Sequence, residues 1–182
     1  MKRMVLAVFA VVCLAGVGSL SAQTGVRFGI GGGLLMPMGD YNTVDKPGWV
    51  AGADLTYWLT SAPVGIRLDG SYSQTSHDGI DGNSKIFGGM AELVYAVGTS
   101  ADQIRPYVFG GVGFFNVKVT VPSASVDTSV SKLGFGGGAG IAFKVGTGST
   151  RFFVEGKFVS VSTEGGSTTF LPIKAGVRFG GK

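Results

Sequence analysis

Apolar and small residues alternate with polar ones along most of the chain after residue 24, and large apolar residues recur at fixed even separations within the alternating runs. Trp49 and Tyr57, Phe87 and Tyr95, Tyr107 and Phe115, Phe135 and Phe143, and Phe28 and Met36 are each eight residues apart. Phe152 and Phe158 are six apart, and Tyr72 pairs less well with Val64. Side chains of a strand alternate between its faces, so an even separation puts both members of a pair on one face, near opposite ends. The pattern predicts eight strands, over 25–36, 48–59, 64–74, 84–97, 105–119, 130–145, 150–161 and 169–179, and no segment carries a helical period.

The connections between these runs differ in kind. Those at 60–63, 98–104 and 146–149 are short, whereas 37–47, 75–83, 120–126 with the residues after it, and 162–168 are longer and polar or Pro-bearing. Eight residues of a tilted strand rise on the order of 20 Å, which matches the apolar band of an outer-membrane barrel between its two aromatic girdles. Transmembrane barrels also join their strands by short periplasmic turns and longer outside loops. The expected fold is therefore all-β, an eight-stranded antiparallel up-and-down transmembrane β-barrel whose first strand rises from the periplasm. One rim is assigned Phe28, Tyr57, Tyr95, Tyr107, Phe143, Phe152 and Phe179. Met36, Trp49, Tyr72, Phe87, Phe115, Phe135, Phe158 and Phe170 are assigned to the other. Phe170 breaks parity with Phe179, which predicts a bulge or a late strand start near Pro172.

Charge gives an independent test, because a base on the lipid face at mid-depth costs about 2–4 kcal/mol. In the third strand Val64, Ile66, Leu68, Gly70 and Tyr72 share one face, and Arg67 and Asp69 lie on the other. Asp54, Glu92, Lys118, Lys132, Lys144, Glu155, Lys157, Lys174 and Arg178 likewise have the parity opposite to their strands' rim aromatics. All are placed inside. A water-soluble lipocalin-like barrel would show the reverse, with an apolar interior.

Composition adds a leader. Lys2 and Arg3 precede an apolar stretch over 4–17 and the small residues Ser19, Ser21 and Ala22, so residues 1–22 read as a secretory signal cut after Ala22 and residues 23–182 as the barrel domain. The stretch is too short for a membrane-spanning helix. The only cysteine, Cys13, falls within the leader, so no disulfide, thiol chemistry or acyl anchor is expected in the mature chain. Fifteen basic residues less Lys2 and Arg3 leave thirteen against eleven acids, a formal charge of +2, which makes no case for a nucleic-acid partner.

Gly-rich alternating strands, the stretch Arg105-Pro-Tyr-Val-Phe-Gly-Gly-Val-Gly-Phe-Phe115 and the terminal Gly176-Val-Arg-Phe179 together make the chain resemble the small eight-stranded outer-membrane barrels of the OmpA/OmpX type. The resemblance implies insertion by the barrel-assembly machinery, which favours a last strand ending in an aromatic; here Gly180, Gly181 and Lys182 follow Phe179. It also implies a monomer surrounded by outer-membrane lipid and lipopolysaccharide. No peptidoglycan-binding domain is seen after the barrel, so anchoring to the cell wall is not expected.

Asp54, Arg67, Asp69, Glu92, Glu155, Lys157 and Lys174 are the candidate site, a polar network at mid-height in the lumen. A paired network that fills the barrel is expected, since eight strands enclose a space just wide enough for side chains. A narrow path for ions or small solutes is the alternative. Gly134, Gly136, Gly138 and Gly140 strip one wall and leave room for Arg67, Phe153 or Lys157. Arg27, Lys144, Arg151 and Arg178 form a basic cluster near the periplasmic end, read as solvated.

Catalytic signals are weak. His77, the single histidine, sits in Ser76-His77-Asp78-Gly79-Ile80-Asp81-Gly82-Asn83 and supplies the residue types of acyl transfer, as in a lipid A-modifying enzyme. Adjacent residues of a turn do not converge as nucleophile, base and orienter, so an Asp-Gly-rich turn is expected instead. Asp78, Asp81 and Asn83 lack the spacing of a Ca²⁺ loop. The glycine run 134–139 fits a loose dinucleotide fingerprint, but alternation continues through Ile141 and Phe143 where that motif needs a helix. No cofactor and no enzymatic activity are expected, and the role is read as structural or as surface interaction.

Overall fold

A computed structural model describes residues 25–43, 45–59, 62–77, 82–121, 126–163 and 166–180. The expected leader over 1–22 lies outside them. β1 (Val26–Met38), β2 (Gly48–Trp58), β3 (Val64–Ser76), β4 (Asn83–Ala96), β5 (Ile104–Val121), β6 (Val126–Lys144), β7 (Arg151–Thr163) and β8 (Gly166–Phe179) form one closed sheet in sequence order. Every neighbouring pair is antiparallel, and β1 closes on β8 from Phe28 opposite Phe179 to Met38 opposite Thr169. Closure leaves no unpaired edge.

The connections after β2, β4 and β6 lie at the same end as Gly25 and Gly180, here named the turn end. Two of its turns hold a glycine in the left-handed region, Gly98 at φ 81° and Gly146 at φ 65°, where a side chain would be strained. At the opposite, loop end, strand reaches into the long connections expected at 120–126 and 162–168. β5 and β6 stay paired out to Val121 opposite Val126, and β7 and β8 out to Thr163 opposite Gly166. Val117, Val119 and Val121, alternating with Lys118 and Thr120, favour an extended chain, and Val117 still packs against the apolar layer of the lumen. In the 37–47 connection a 3-10 segment, Gly39–Thr43, follows β1, and Asp45 forms an isolated antiparallel bridge with His77.

Alternation dictates the two faces. Outward go Ile30, Leu34, Leu55, Ile66, Leu68, Leu93, Val112, Leu133 and Val154, all exposed. Between the rims no charged side chain stands on the outer face among the described residues. Inward, the lumen is layered from loop end to turn end. Leu35, Val50, Ile86, Phe115, Val161 and Phe170 belong to an apolar layer. An ionic layer follows, then Val94, Tyr107, Phe109 and Phe153, and last the arginines of the turn end. β7 alone samples every layer, through Arg151, Phe153, Glu155, Lys157, Val159 and Val161.

Candidate functional site

The strand register brings all seven sequence-predicted lumen residues into one network. Arg67 on β3 stands opposite Glu92 on β4, and Glu155 on β7 opposite Lys174 on β8. Arg67 donates through Nε to Glu92 at 2.5 Å and, across the lumen, through Nη1 to Glu155 at 2.9 Å. Asp54 and Asp69 also face each other directly, on β2 and β3. Such like charges repel unless each is answered by a cation. Lys157 and Lys174 answer Asp69 at 2.6 and 2.7 Å, and Arg178 answers Asp54 at 3.0 Å. Lys157 also pairs with Glu92 at 2.6 Å.

Two members of the network are absent from the candidate set. Arg178, grouped by sequence with the basic cluster, donates through Nη2 to Glu155 at 2.9 Å and through Nη1 to the Tyr107 hydroxyl at 2.9 Å. The Tyr107 hydroxyl in turn donates a hydrogen bond to Glu155 at 2.8 Å. The layer therefore holds four acids, Asp54, Asp69, Glu92 and Glu155, and four bases, Arg67, Lys157, Lys174 and Arg178. Guanidiniums also stand over rings, Arg67 over Phe109 and Arg178 over Phe153, each with its central carbon 4.0 Å from the ring centroid. On the loop-end side of this layer a void of about 10 Å³ is lined by Asp69, Met90 and Lys157, and on the turn-end side one of about 20 Å³ by Arg27, Arg67 and Arg178. One water needs about 10–15 Å³, so neither holds more than one or two.

The rims need four corrections, three of them on β5. Tyr107 and Phe115 are not girdle residues: they point into the lumen, 5% and 3% exposed, while Val108, Val112 and Phe114 face out. Glycines on the flanking strands make the room. A Cβ on Gly134 would come within 2.9 Å of the Phe115 ring, and one on Gly140 within 2.5 Å of the Tyr107 hydroxyl. With that parity Lys118, expected inside, lies on the outer face opposite Lys85, beyond the apolar belt. Phe170 is buried in the lumen against Phe115, ring centroids 6.0 Å apart, and the β7–β8 register is the same on both sides of Pro172, so no bulge is present. The other girdle assignments face outward. Phe28, Tyr57, Tyr95, Phe143, Phe152 and Phe179 lie towards the turn end, with Phe143 opposite Phe152. Trp49, Tyr72, Phe87, Phe135 and Phe158 lie towards the loop end, where Trp49 and Tyr72 have ring centroids 5.5 Å apart.

At the loop end His77 is buried and bonds through Nδ1 to Asp45, a residue 32 positions away. Thr75 donates to the other Asp45 oxygen at 2.5 Å, so the Tyr41 hydroxyl donates to Thr75, at 2.8 Å. Burial pushes the Tyr41 phenol up. Burial also opposes ionisation of Asp45, but hydrogen bonds from Thr75, Ser84 and His77 outweigh it and hold the carboxyl below its ordinary value. His77 Nε2 has no hydrogen-bond partner among the described residues, so no hydroxyl there is placed as a nucleophile. Asp78 and Asp81, the neighbours weighed for acyl transfer and Ca²⁺, lie outside the described residues, and Asn83 starts β4. No cluster of metal-ligating side chains occurs among the described residues. The glycine run 134–139 is strand throughout, opening no helix.

Residues 7–179 match the family model described as outer membrane protein beta-barrel domain. The chain belongs to that family. Among solved structures, this family member is similar to the N-terminal β-barrel domain of Pseudomonas aeruginosa OprF, at 20% identity over 86% of this chain and 97% of that one, with a TM-score of 0.56. It is also similar to Yersinia pestis Ail, the attachment invasion locus protein, solved in complex with the heparin analogue sucrose octasulfate. There identity is 20%, coverage 86% and 100%, and the TM-score 0.50. No curated protein matches the chain. At these identities the likeness speaks for the barrel and not for a ligand.

Proposed function

We propose that this outer-membrane barrel-family protein is a non-enzymatic, integral component of the bacterial outer membrane, with a structural or surface-interaction role and a lumen closed by its own side chains. The outward face carries the membrane reading: from rim to rim it presents only apolar and glycine residues, while the charges are inside. A soluble barrel cannot be built that way, because its exposed belt would associate. In the bilayer the belt is solvated by outer-membrane lipid and lipopolysaccharide, the turn end faces the periplasm, and the chain acts as a monomer. A leader cut after Ala22 exports it, and the barrel-assembly machinery inserts it.

The ionic layer carries the closed-lumen reading. It is supported by four acids and four bases joined by direct contacts and flanked by apolar layers, with voids on either side that hold no more than one or two waters each. A faster-migrating band in unboiled samples should mark the folded barrel, and planar bilayers containing it should stay electrically silent. Discrete conductance steps from the folded protein would instead establish the small-solute channel. An altered lipid A profile that disappears with His77→Ala would overturn the non-enzymatic reading.

A further inference from the structure

At the turn end five consecutive strands around the barrel each send a cation inward: Arg105 on β5, Lys144 on β6, Arg151 on β7, Arg178 on β8 and Arg27 on β1. Lys144 stands directly opposite Arg151, and Arg151 directly opposite Arg178. Like charges in such positions destabilise a sheet. Arg178 escapes by turning to Asp54 and Glu155. Arg151 donates through Nη2 to the Ser100 and Asp102 carbonyls at 2.8 Å each, and Arg105 stands over the Trp58 ring at 4.4 Å. Arg27, Arg105, Lys144 and Arg151 nevertheless make no ion pair with a carboxylate among the described residues. The charge of Asp102 reaches Arg105 and Arg151, but this carboxylate is exposed and its oxygens accept from the Thr99 amide at 2.8 Å and hydroxyl at 3.0 Å.

Arg27, Arg105 and Arg151 are only 6%, 7% and 2% exposed. Arg27 Nε, Arg105 Nε and Arg151 Nη1 are nonetheless without hydrogen-bond partners among the described residues. A buried donor left unmade costs about 1–3 kcal/mol, and more when charged. Arg27 and Arg151 form the wall between the small internal void and an open cavity of about 460 Å³, whose polar lining includes Lys144, Ser100, Thr147 and Ser149. That volume suits a small organic ligand. Guanidinium forks match the oxygens of carboxylates and phosphates alike, and the greater charge and oxygen count of a phosphate suit several gathered cations.

We propose that this mouth is a binding site for a phosphate monoester or diester, whose anionic group is held by Arg27, Arg151 and Lys144, with Arg105 adding charge from behind. Its source is either a soluble phosphate ester or the headgroup of an anionic phospholipid at the barrel rim.

The test uses the protein as processed and purified from a Gram-negative host, in detergent, titrated with glycerol 3-phosphate. Saturable binding is expected, with amide resonances moving at Ser100, Ala101 and 147–149. Arg27→Gln or Arg151→Gln should weaken it about tenfold, the loss of one charge-assisted contact, and Lys85→Gln at the far end should not. Unboiled gel mobility reports folding of each variant. Lys144→Gln, which leaves the buried arginines intact, should weaken binding severalfold if the arginine variants do not fold. Binding lost in phosphatidylglycerol nanodiscs but kept in phosphatidylcholine ones identifies a lipid headgroup as occupant, and equal binding in both identifies a soluble ester. Absence of saturable binding, or binding that the arginine and lysine variants leave unchanged, overturns the proposal.

Discussion

Replacing Glu155 by glutamine removes one charge from the lumen while keeping the side chain's size, and it tests the closed interior directly. Glu155 accepts from Arg67 and Arg178 at 2.9 Å each and from Tyr107 at 2.8 Å, with Lys174 at 3.6 Å. Arg67 keeps Glu92, Arg178 keeps Asp54 and Lys174 keeps Asp69, so no base loses its last acid. The layer nevertheless goes from neutral to one excess positive charge, with room for no more than one or two waters on either side of it. Breaking a buried pair by removing one partner costs about 3–5 kcal/mol. With a urea slope of about 2 kcal/mol per molar, the unfolding midpoint should fall by about 2 M. The assay is reversible urea unfolding in lipid vesicles, read by the fraction of heat-sensitive fast band. In the Arg67→Gln, Glu155→Gln double variant the loss should be smaller than the sum of the two singles, because the charges leave together. A midpoint shift under about 0.5 M for Glu155→Gln would mean that water screens these charges, and the closed-lumen reading would fall with it.

Other substitutions separate the faces of the sheet. Ala139→Lys or Ala175→Lys, in the middle of the outward belt, should cost about 2–4 kcal/mol of insertion, seen as loss of the fast band on refolding into vesicles. A Cβ on Gly156 meets nothing within 4 Å, so Gly156→Ala should fold at least as well as the parent. One on Gly138 would run into the Gly156 carbonyl oxygen and lie 2.9 Å from Lys157 Cα, so even Gly138→Ala should fail the same assay. Phe115→Ala should lower stability by about 3–5 kcal/mol in urea titration, as a core deletion does and as an outward girdle position would not. At the loop end the Asp45 carboxyl, facing His77, Thr75 and Tyr41, lies below its ordinary value, so its contribution is complete above about pH 4 and lost as pH falls through the lowered value. The Asp45 carboxyl carbon resonance should therefore titrate with a midpoint below about pH 4, and a midpoint above that pH would contradict the assignment.

Strand number and order, and the inward parity of most charges, were legible because a period of two leaves few alternatives once one face must exclude charge. β5 was the exception, and the reason is local. It carries aromatics on both parities, Tyr107, Phe109 and Phe115 on one and Phe114 with Val108 and Val112 on the other, so alternation alone cannot orient it. The deciding information sits on other strands, where Gly88, Gly134 and Gly140 open space for rings. A large residue facing a glycine across two strands is a usable signal, but only once the register is known. Lys118 followed β5 to the wrong side for the same reason. The membership of Arg178 and Tyr107 in the ionic layer was equally hidden, since the Arg178–Asp54 contact joins residues 124 positions apart.

The last strand supplies Lys174 and Arg178, two of the four bases of the ionic layer. In a nascent sheet that has reached β7 but not β8 this layer holds Asp54, Asp69, Glu92 and Glu155 against only Arg67 and Lys157, a local surplus of two negative charges at mid-height. Such a surplus resists burial, so the open intermediate has no low-energy way to curl up early. Neutrality of the layer arrives together with the strand that seals the seam, so electrostatics favours closing the barrel only once β8 is in place.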